Sequence, residues 1–137
     1  MLLEKPFNSN SLVLTVDNDW DNLHLIKYVV EALNLKCHGI NRSEMVLDLA
    51  IEKNPKLILL DIVMPRVSGF EVIQQLKANI FTRDIPVIAV TGLTGLYYQV
   101  KIKSAGFDDY IGKPFMIEEL EAKIAKHMSV KPITIAA

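Results

Sequence analysis

Four side chains carry most of the chemistry that this sequence offers: Asp17, Asp61, Thr91 and Lys113. Each closes an apolar run. Asp17 follows Leu12-Val13-Leu14-Thr15-Val16, and Asp61 follows Leu57-Ile58-Leu59-Leu60. Thr91 follows Val87-Ile88-Ala89-Val90, and Lys113 follows Tyr110-Ile111-Gly112. Apolar runs of this length suit strands covered on both faces. If the strands are parallel, the four residues gather at one rim, where open α/β sheets place their binding crevice. Oxygen donors from Asp17, Asn18 or Asp19 and Asp61, with no thiolate, suit a hard cation, Mg²⁺ in particular. A lysine ammonium and a threonine hydroxyl beside them suit an anion such as phosphate. Carboxylate, cation, hydroxyl and lysine together describe phosphoryl transfer with an aspartate as nucleophile.

The elements that must position these groups read in alternation. Leu23, Ile26, Val29, Val30 and Leu33 recur at helical spacing, so residues 20–34 are an amphipathic helix that Asn18 or Asp19 caps. Lys36-Cys37-His38-Gly39-Ile40 is a short strand. Ser43 starts a helix with Val46, Leu47, Ala50 and Ile51 on one face, and Asn54-Pro55 stops it. The central strand is 57–61. Ser68 and Glu71 form a capping box for a helix to Ala78. A strand over 85–90 ends at Thr91, and a helix over 94–105 carries Leu96, Val100 and Ala105 before Gly106. A strand over 107–111 and a helix over 117–128, with Leu120, Ile124 and Met128 on one stripe, complete the pattern. Five strands alternating with five helices predict a three-layer doubly wound (βα)5 fold. Its parallel sheet takes the flavodoxin-like order 2-1-3-4-5. Residues 1–10 read as an arm, 11–128 as one domain and 129–137 as a tail or the start of a linker.

Composition narrows the function classes. The chain has 137 residues, half of them hydrophobic and 23% charged, which suits one domain with a substantial core. A net charge of -1 gives no basic patch for nucleic acid, and Lys101 and Lys103 read as solvent-facing. No apolar run is long enough for a membrane span, and the charged start is unlike a signal peptide. The single cysteine, Cys37, excludes a disulfide within the chain and fits a buried inert thiol in a reducing, cytoplasmic setting. His24, His38 and His127 lack metal-ligand spacing. Asp17 to Tyr28 superficially matches a calcium loop, but Asn22 stands where glycine is needed and Tyr28 where glutamate is needed.

The sequence resembles the receiver domains of two-component response regulators over residues 11–128. The matching stretches are Leu12 to Asp17, Leu59 to Pro65 with Gly69, Val87 to Thr91, and Ala105 to Phe115. The resemblance implies that Asp61 accepts a phosphoryl group from a histidine kinase, a phosphotransfer protein or a small phosphodonor. It implies that Asp17, the Asn18 position, Asp61 and the Val63 carbonyl hold Mg²⁺. Thr91 is then the switch hydroxyl, Lys113 the lysine that pairs with the phosphoryl group, and Tyr110 the switch aromatic; Lys113–Pro114 is commonly cis in the family. No separate substrate turnover is expected. The surface formed by 94–105, 107–111 and 117–128 is implied as the face for a downstream target or a homodimer, with Tyr97, Tyr98 and Lys101 on it. The chain fits a stand-alone regulator and a piece of a longer one equally.

Several positions depart from the family pattern. Asn18 stands where a second acid is usual, which predicts weaker Mg²⁺ binding and less charge repulsion in the metal-free site. Asp19 is the nearest substitute acid. Trp20, the sole tryptophan, stands where proline is common and covers the first helix. Met116 leaves the last helix without a side-chain cap. Val63 and Leu93, each two residues past a site residue, cannot orient an attacking water, which predicts slow self-dephosphorylation. A degenerate receiver that binds proteins without phosphorylation is the competing reading, with Asn18 its supporting feature.

Overall fold

The computed structural model describes residues 11–130. The arm and most of the tail, 1–10 and 131–137, lie outside the described residues. The strands are β1 (Leu12–Val16), β2 (Lys36–Ile40), β3 (Leu57–Leu60), β4 (Val87–Thr91) and β5 (Asp109–Gly112). The helices are α1 (Trp20–Ala32), α2 (Val46–Lys53), α3 (Gly69–Ala78), α4 (Leu96–Ala105) and α5 (Ile117–Met128). One five-stranded sheet has the order β2-β1-β3-β4-β5, with every pair parallel. The doubly wound architecture expected from the alternation is the observed one. β2 and β5 are its edges.

The sheet is buried on both faces, as the apolar runs require. Val13, Leu57, Leu59, Ile88, Val90 and Ile111 pack with Ile26, Val29 and Val30 of α1 and Leu120 and Ile124 of α5. Leu14, Val16, Ile58, Leu60 and Ala89 pack with residues of α2, α3 and α4 on the other face. All four β3 side chains are fully buried. Burial of each such leucine or isoleucine contributes about 1.5–3 kcal/mol.

Local signals set most helix ends. The Asp19 side chain caps α1 by accepting the Asp21 N–H at 2.9 Å, so Asp19 and not Asn18 is the cap. The Ser68–Glu71 capping box is present at α3. Asn54 ends α2 in the left-handed conformation at φ 49°. Met116 gives α5 no side-chain cap; Glu118 and Glu119 in its first turn suit the positive end of the helix dipole instead.

Six expectations need correction. β3 stops at Leu60, with Asp61 just beyond it. β4 begins at Val87 because the Ile85 N–H is committed to the Thr82 carbonyl, and Pro86 has no N–H to give. β5 begins at Asp109, two residues after Phe107, which instead packs into the core with the α3 and α4 side chains. The turn at Ser43–Met45 is a 3₁₀ turn that leads into α2, and Ile51 of α2 is 40% exposed. In α4 the buried side differs from the expected stripe: Leu96 and Val100 are 75% and 58% exposed, while Ile102 is buried and Ala105 packs against the core. Ile102 lies about 200° round the helix from Val100, so the sheet took the other side.

Candidate functional site

The backbone ladder runs one residue past β1, β3 and β5 and fixes the rim. The Asp17 N–H donates to the Ile40 carbonyl at 3.1 Å, the Asp61 N–H to Val16 at 2.9 Å, and the Lys113 N–H to Thr91 at 2.8 Å. Asp17, Asp61 and Thr91 are 1%, 5% and 0% exposed. They sit on neighbouring strands because β1, β3 and β4 are neighbours in the sheet. The structure therefore brings together the four residues with which the sequence reading began.

One ammonium joins two carboxylates. Lys113 Nζ lies 2.8 Å from Asp17 Oδ2 and 2.9 Å from Asp61 Oδ2. The remaining oxygens are held from the backbone: Asp17 Oδ1 accepts the Asp19 N–H at 2.9 Å, and Asp61 Oδ1 accepts the Val63 N–H at 3.2 Å. The Thr91 hydroxyl oxygen accepts the Leu93 N–H at 3.1 Å. The Lys113–Pro114 peptide is cis.

Burial pushes the Asp61 carboxyl above the usual carboxylate value, and the Asp17 charge adds to that push; Lys113 and the Val63 N–H oppose it incompletely. Burial also works against the Lys113 ammonium, but its bonds to Asp17 and Asp61 outweigh this and raise it above the usual lysine value. A buried carboxylate paired with a lysine keeps its charge only because of that partner.

Other expected residues hold separate places. Asn18 is exposed, and its side chain bonds neither Asp17 nor Asp61. Val63 is 61% exposed at the mouth of the site. Tyr110 is half-buried against the α3–α4 core and lines a cavity of about 220 Å³ with Ile102 and Phe107. Trp20 is 53% exposed, and its ring centroid lies 6.4 Å from that of His24. The Cys37 thiol is half-buried, and burial, with a smaller push from Glu31, raises its pKa to about 12. A thiol kept protonated in this way is a poor nucleophile.

Three features escaped the sequence. Asn22 Nδ2 donates to Asp17 Oδ2 at 3.4 Å. The signal was its place in the first turns of α1, beside the β1 end. His127 Nε2 lies 3.0 Å from Asp109 Oδ2, a contact that no local pattern signals. Gly69 lies against the backbone just past β3: a Cβ there would lie 2.6 Å from Ile62 Cα and 2.7 Å from the Asp61 carbonyl oxygen.

Among the described residues, no three His, Cys, Asp or Glu side chains come together as a metal cluster. The rim offers the carboxylates of Asp17 and Asp61, an all-oxygen pair of the kind that fits a hard cation completing its shell with water. No helix among the described residues is long and apolar enough to cross a membrane.

Known proteins are similar to this chain in sequence and fold. DNA-binding dual master transcriptional regulator RpaA of Synechocystis sp. is 41% identical over 117 residues, covering 82% of this chain and 46% of that protein. The chain thus spans about half the length of this relative. Polar-differentiation response regulator DivK of Brucella ovis is 34% identical over 120 residues, covering 88% of this chain and 97% of that protein. The Francisella response regulator 1452 receiver domain superposes with a TM-score of 0.80 at 26% identity, covering 88% of this chain and 98% of that one. The family model described as the response regulator receiver domain matches residues 13–125. With that match over most of its length and with the rim geometry above, the chain belongs to the receiver domain family of two-component response regulators.

Proposed function

We propose that Asp61 accepts a phosphoryl group from a histidine kinase or phosphotransfer protein, and that this biases a protein-binding surface. The observation that carries the proposal is the single ammonium of Lys113 shared between the buried carboxylates of Asp17 and Asp61. An Asp61 oxygen attacks phosphorus, the bond from phosphorus to the donor nitrogen breaks, and its electron pair leaves with the donor imidazole. The product is an acyl phosphate. Lys113 offsets the negative charge that spreads over the phosphoryl oxygens, and Thr91 offers its hydroxyl to one of them. Asp17 keeps Lys113 charged and in place. Asp17, Asp61 and the Val63 carbonyl, with Asn18 beside them, would hold Mg²⁺, which supplies further charge neutralisation when bound. The neutral amide at Asn18 makes this a weak site, and Asn18→Asp is expected to raise Mg²⁺ affinity in a titration followed by Trp20 fluorescence.

The added charge shifts a two-state equilibrium through Thr91 and Tyr110 to the surface of residues 94–128. A downstream target protein or a second copy of the chain reads that surface. The chain acts as a cytoplasmic signalling component with no turnover of a separate substrate. Val63 and Leu93 have no group that orients water, so the phosphoryl group is expected to persist for minutes or longer; loss within seconds contradicts this.

The test is intact-protein mass after incubation with acetyl phosphate, with and without Mg²⁺. Gain of one phosphoryl group only with Mg²⁺, and none in Asp61→Asn, supports the proposal. A folded chain that gains nothing is instead a phosphorylation-independent binding module.

A further inference from the structure

The loop between Asp61 and Gly69 leaves the sheet at the acceptor and returns beside it. Its neck is closed by the Gly69 N–H donating to the Ile62 carbonyl at 2.8 Å. Inside the loop, the Val63 N–H holds Asp61 Oδ1, and the Val67 N–H donates to the Pro65 carbonyl at 2.9 Å. Arg66 takes φ 71°, a left-handed conformation that costs a non-glycine residue about 1 kcal/mol or more. Such strain persists only where the surroundings over-determine it.

Two ties over-determine it here, and both reach the turn before α2. The Ser43 hydroxyl, on a side chain 1% exposed, donates to the Val67 carbonyl at 2.6 Å across 24 residues of sequence. Beside it, Arg66 Nη1 pairs with Glu44 Oε2 at 3.1 Å. Neither pair touches the reacting groups. Both set where residues 63–67 lie, and Val63 in turn orients the Asp61 carboxylate.

We infer that Ser43, seconded by the Glu44–Arg66 pair, is a positioning residue for phosphoryl transfer: it braces the acceptor loop so that the Val63 N–H aims Asp61. This rests on Asp61 being the acceptor. A short range of misplacement at a reacting group is enough to slow chemistry by an order of magnitude or more. A hydroxyl–carbonyl bond at a buried serine is the larger brace, and the exposed ion pair the smaller.

The experiment compares the native chain with Ser43→Ala, Glu44→Gln and the double variant. It measures the phosphorylation rate against acetyl phosphate concentration by intact mass, the Val63 and Val67 amide peaks by ¹H–¹⁵N NMR, and the melting temperature. The saturating rate is expected to fall about tenfold in Ser43→Ala and about twofold in Glu44→Gln, with the half-saturating concentration unchanged and the Val63 peak displaced. A Ser43→Ala rate within twofold of native overturns the inference, even if melting shifts, because a merely structural serine changes stability alone. If Ser43→Ala does not fold, Glu44→Gln decides, and a native rate with an unmoved Val63 peak overturns the inference. If the native chain takes up no phosphoryl group, the acceptor assignment fails. The loop brace is then judged by NMR alone, and unmoved Val63 and Val67 peaks in Ser43→Ala overturn it.

Discussion

The rim of the sheet and the outer face of α4 both reverse the ordinary order of a folded protein, in opposite senses. At the rim, charge is buried: Asp17 and Asp61 are 1% and 5% exposed. On α4, apolar groups are out: Leu96, Tyr97 and Val100 are 75%, 68% and 58% exposed. The rim resolves its cost internally, because Lys113 and three backbone N–H groups answer the two carboxylates and Thr91. α4 has no such answer within the described residues. Lys101 leans over the neighbouring rings, 4.6 Å from the Phe70 centroid and 5.9 Å from that of Tyr97, and the Tyr97 ring meets Tyr98 edge-on at 5.0 Å. A self-contained site next to an unanswered face is what a domain needs if it works by chemistry in one place and by contact in another.

The sharpest way to break that contrast is to remove the rim's answer. Lys113→Ala leaves two carboxylates in one buried place, and the fold is expected to lose about 2 kcal/mol, less than a fully buried pair because Lys113 is partly exposed. Phosphoryl uptake is expected to fall about a hundredfold. Chemical denaturation and mass spectrometry check the two; an unchanged midpoint would show that the rim is not held by this ammonium.

Asp109 offers a second self-answered acid, away from the rim. Burial pushes its carboxyl up, but bonds from His127, the Tyr110 N–H and Lys123 prevail and hold it below the ordinary value of 3.8. A lowered folded value means that its contribution is present above that ordinary value and is lost as pH falls through the folded one. Asp109→Asn is expected to destabilise the chain by about 1 kcal/mol at neutral pH. The gap should close as pH drops below the ordinary carboxylate value. Thermal melts at several pH values check it, and a gap that widens in acid would reverse the sign argued here.

Thr15 tests the opposite case, a buried polar group left unanswered. Thr15 is 1% exposed, and its buried hydroxyl has no hydrogen-bond partner among the described residues. Thr15→Val is expected to stabilise the fold by about 1 kcal/mol by removing that orphan. Loss of stability would mean that the hydroxyl is answered after all. The smallest effect belongs to α4: Leu96→Ser with Val100→Ser is expected to change stability by less than about 0.5 kcal/mol. A larger loss would show that these side chains pack within the fold rather than face a partner.

What could be read in the sequence was local. The apolar run before Asp61, the Ser68–Glu71 box and the span of α5 each follow from neighbouring residues, so β3, α3 and α5 were legible. The rim was legible because parallel strands convert four separate strand ends into one place. α4 was not: its i, i+4 apolar pair resembles any buried helix face, and only the competing Ile102 contact with the core decides the direction. Ser43 was not legible either, since its partner Val67 is 24 residues away and is a carbonyl, which every residue carries.

The sheet edges bear on how the protein keeps in storage. β2 has five residues, opens on exposed Lys36 and carries Gly39; β5 has four, opens on paired Asp109 and closes on Gly112. Short edges that start on a charge and carry a glycine make poor templates for stacking another chain edge to edge. Concentrated solutions should therefore stay clear of fibrils and keep a steady light-scattering signal, and any clustering that does arise should trace to the apolar side of α4 and not to the sheet.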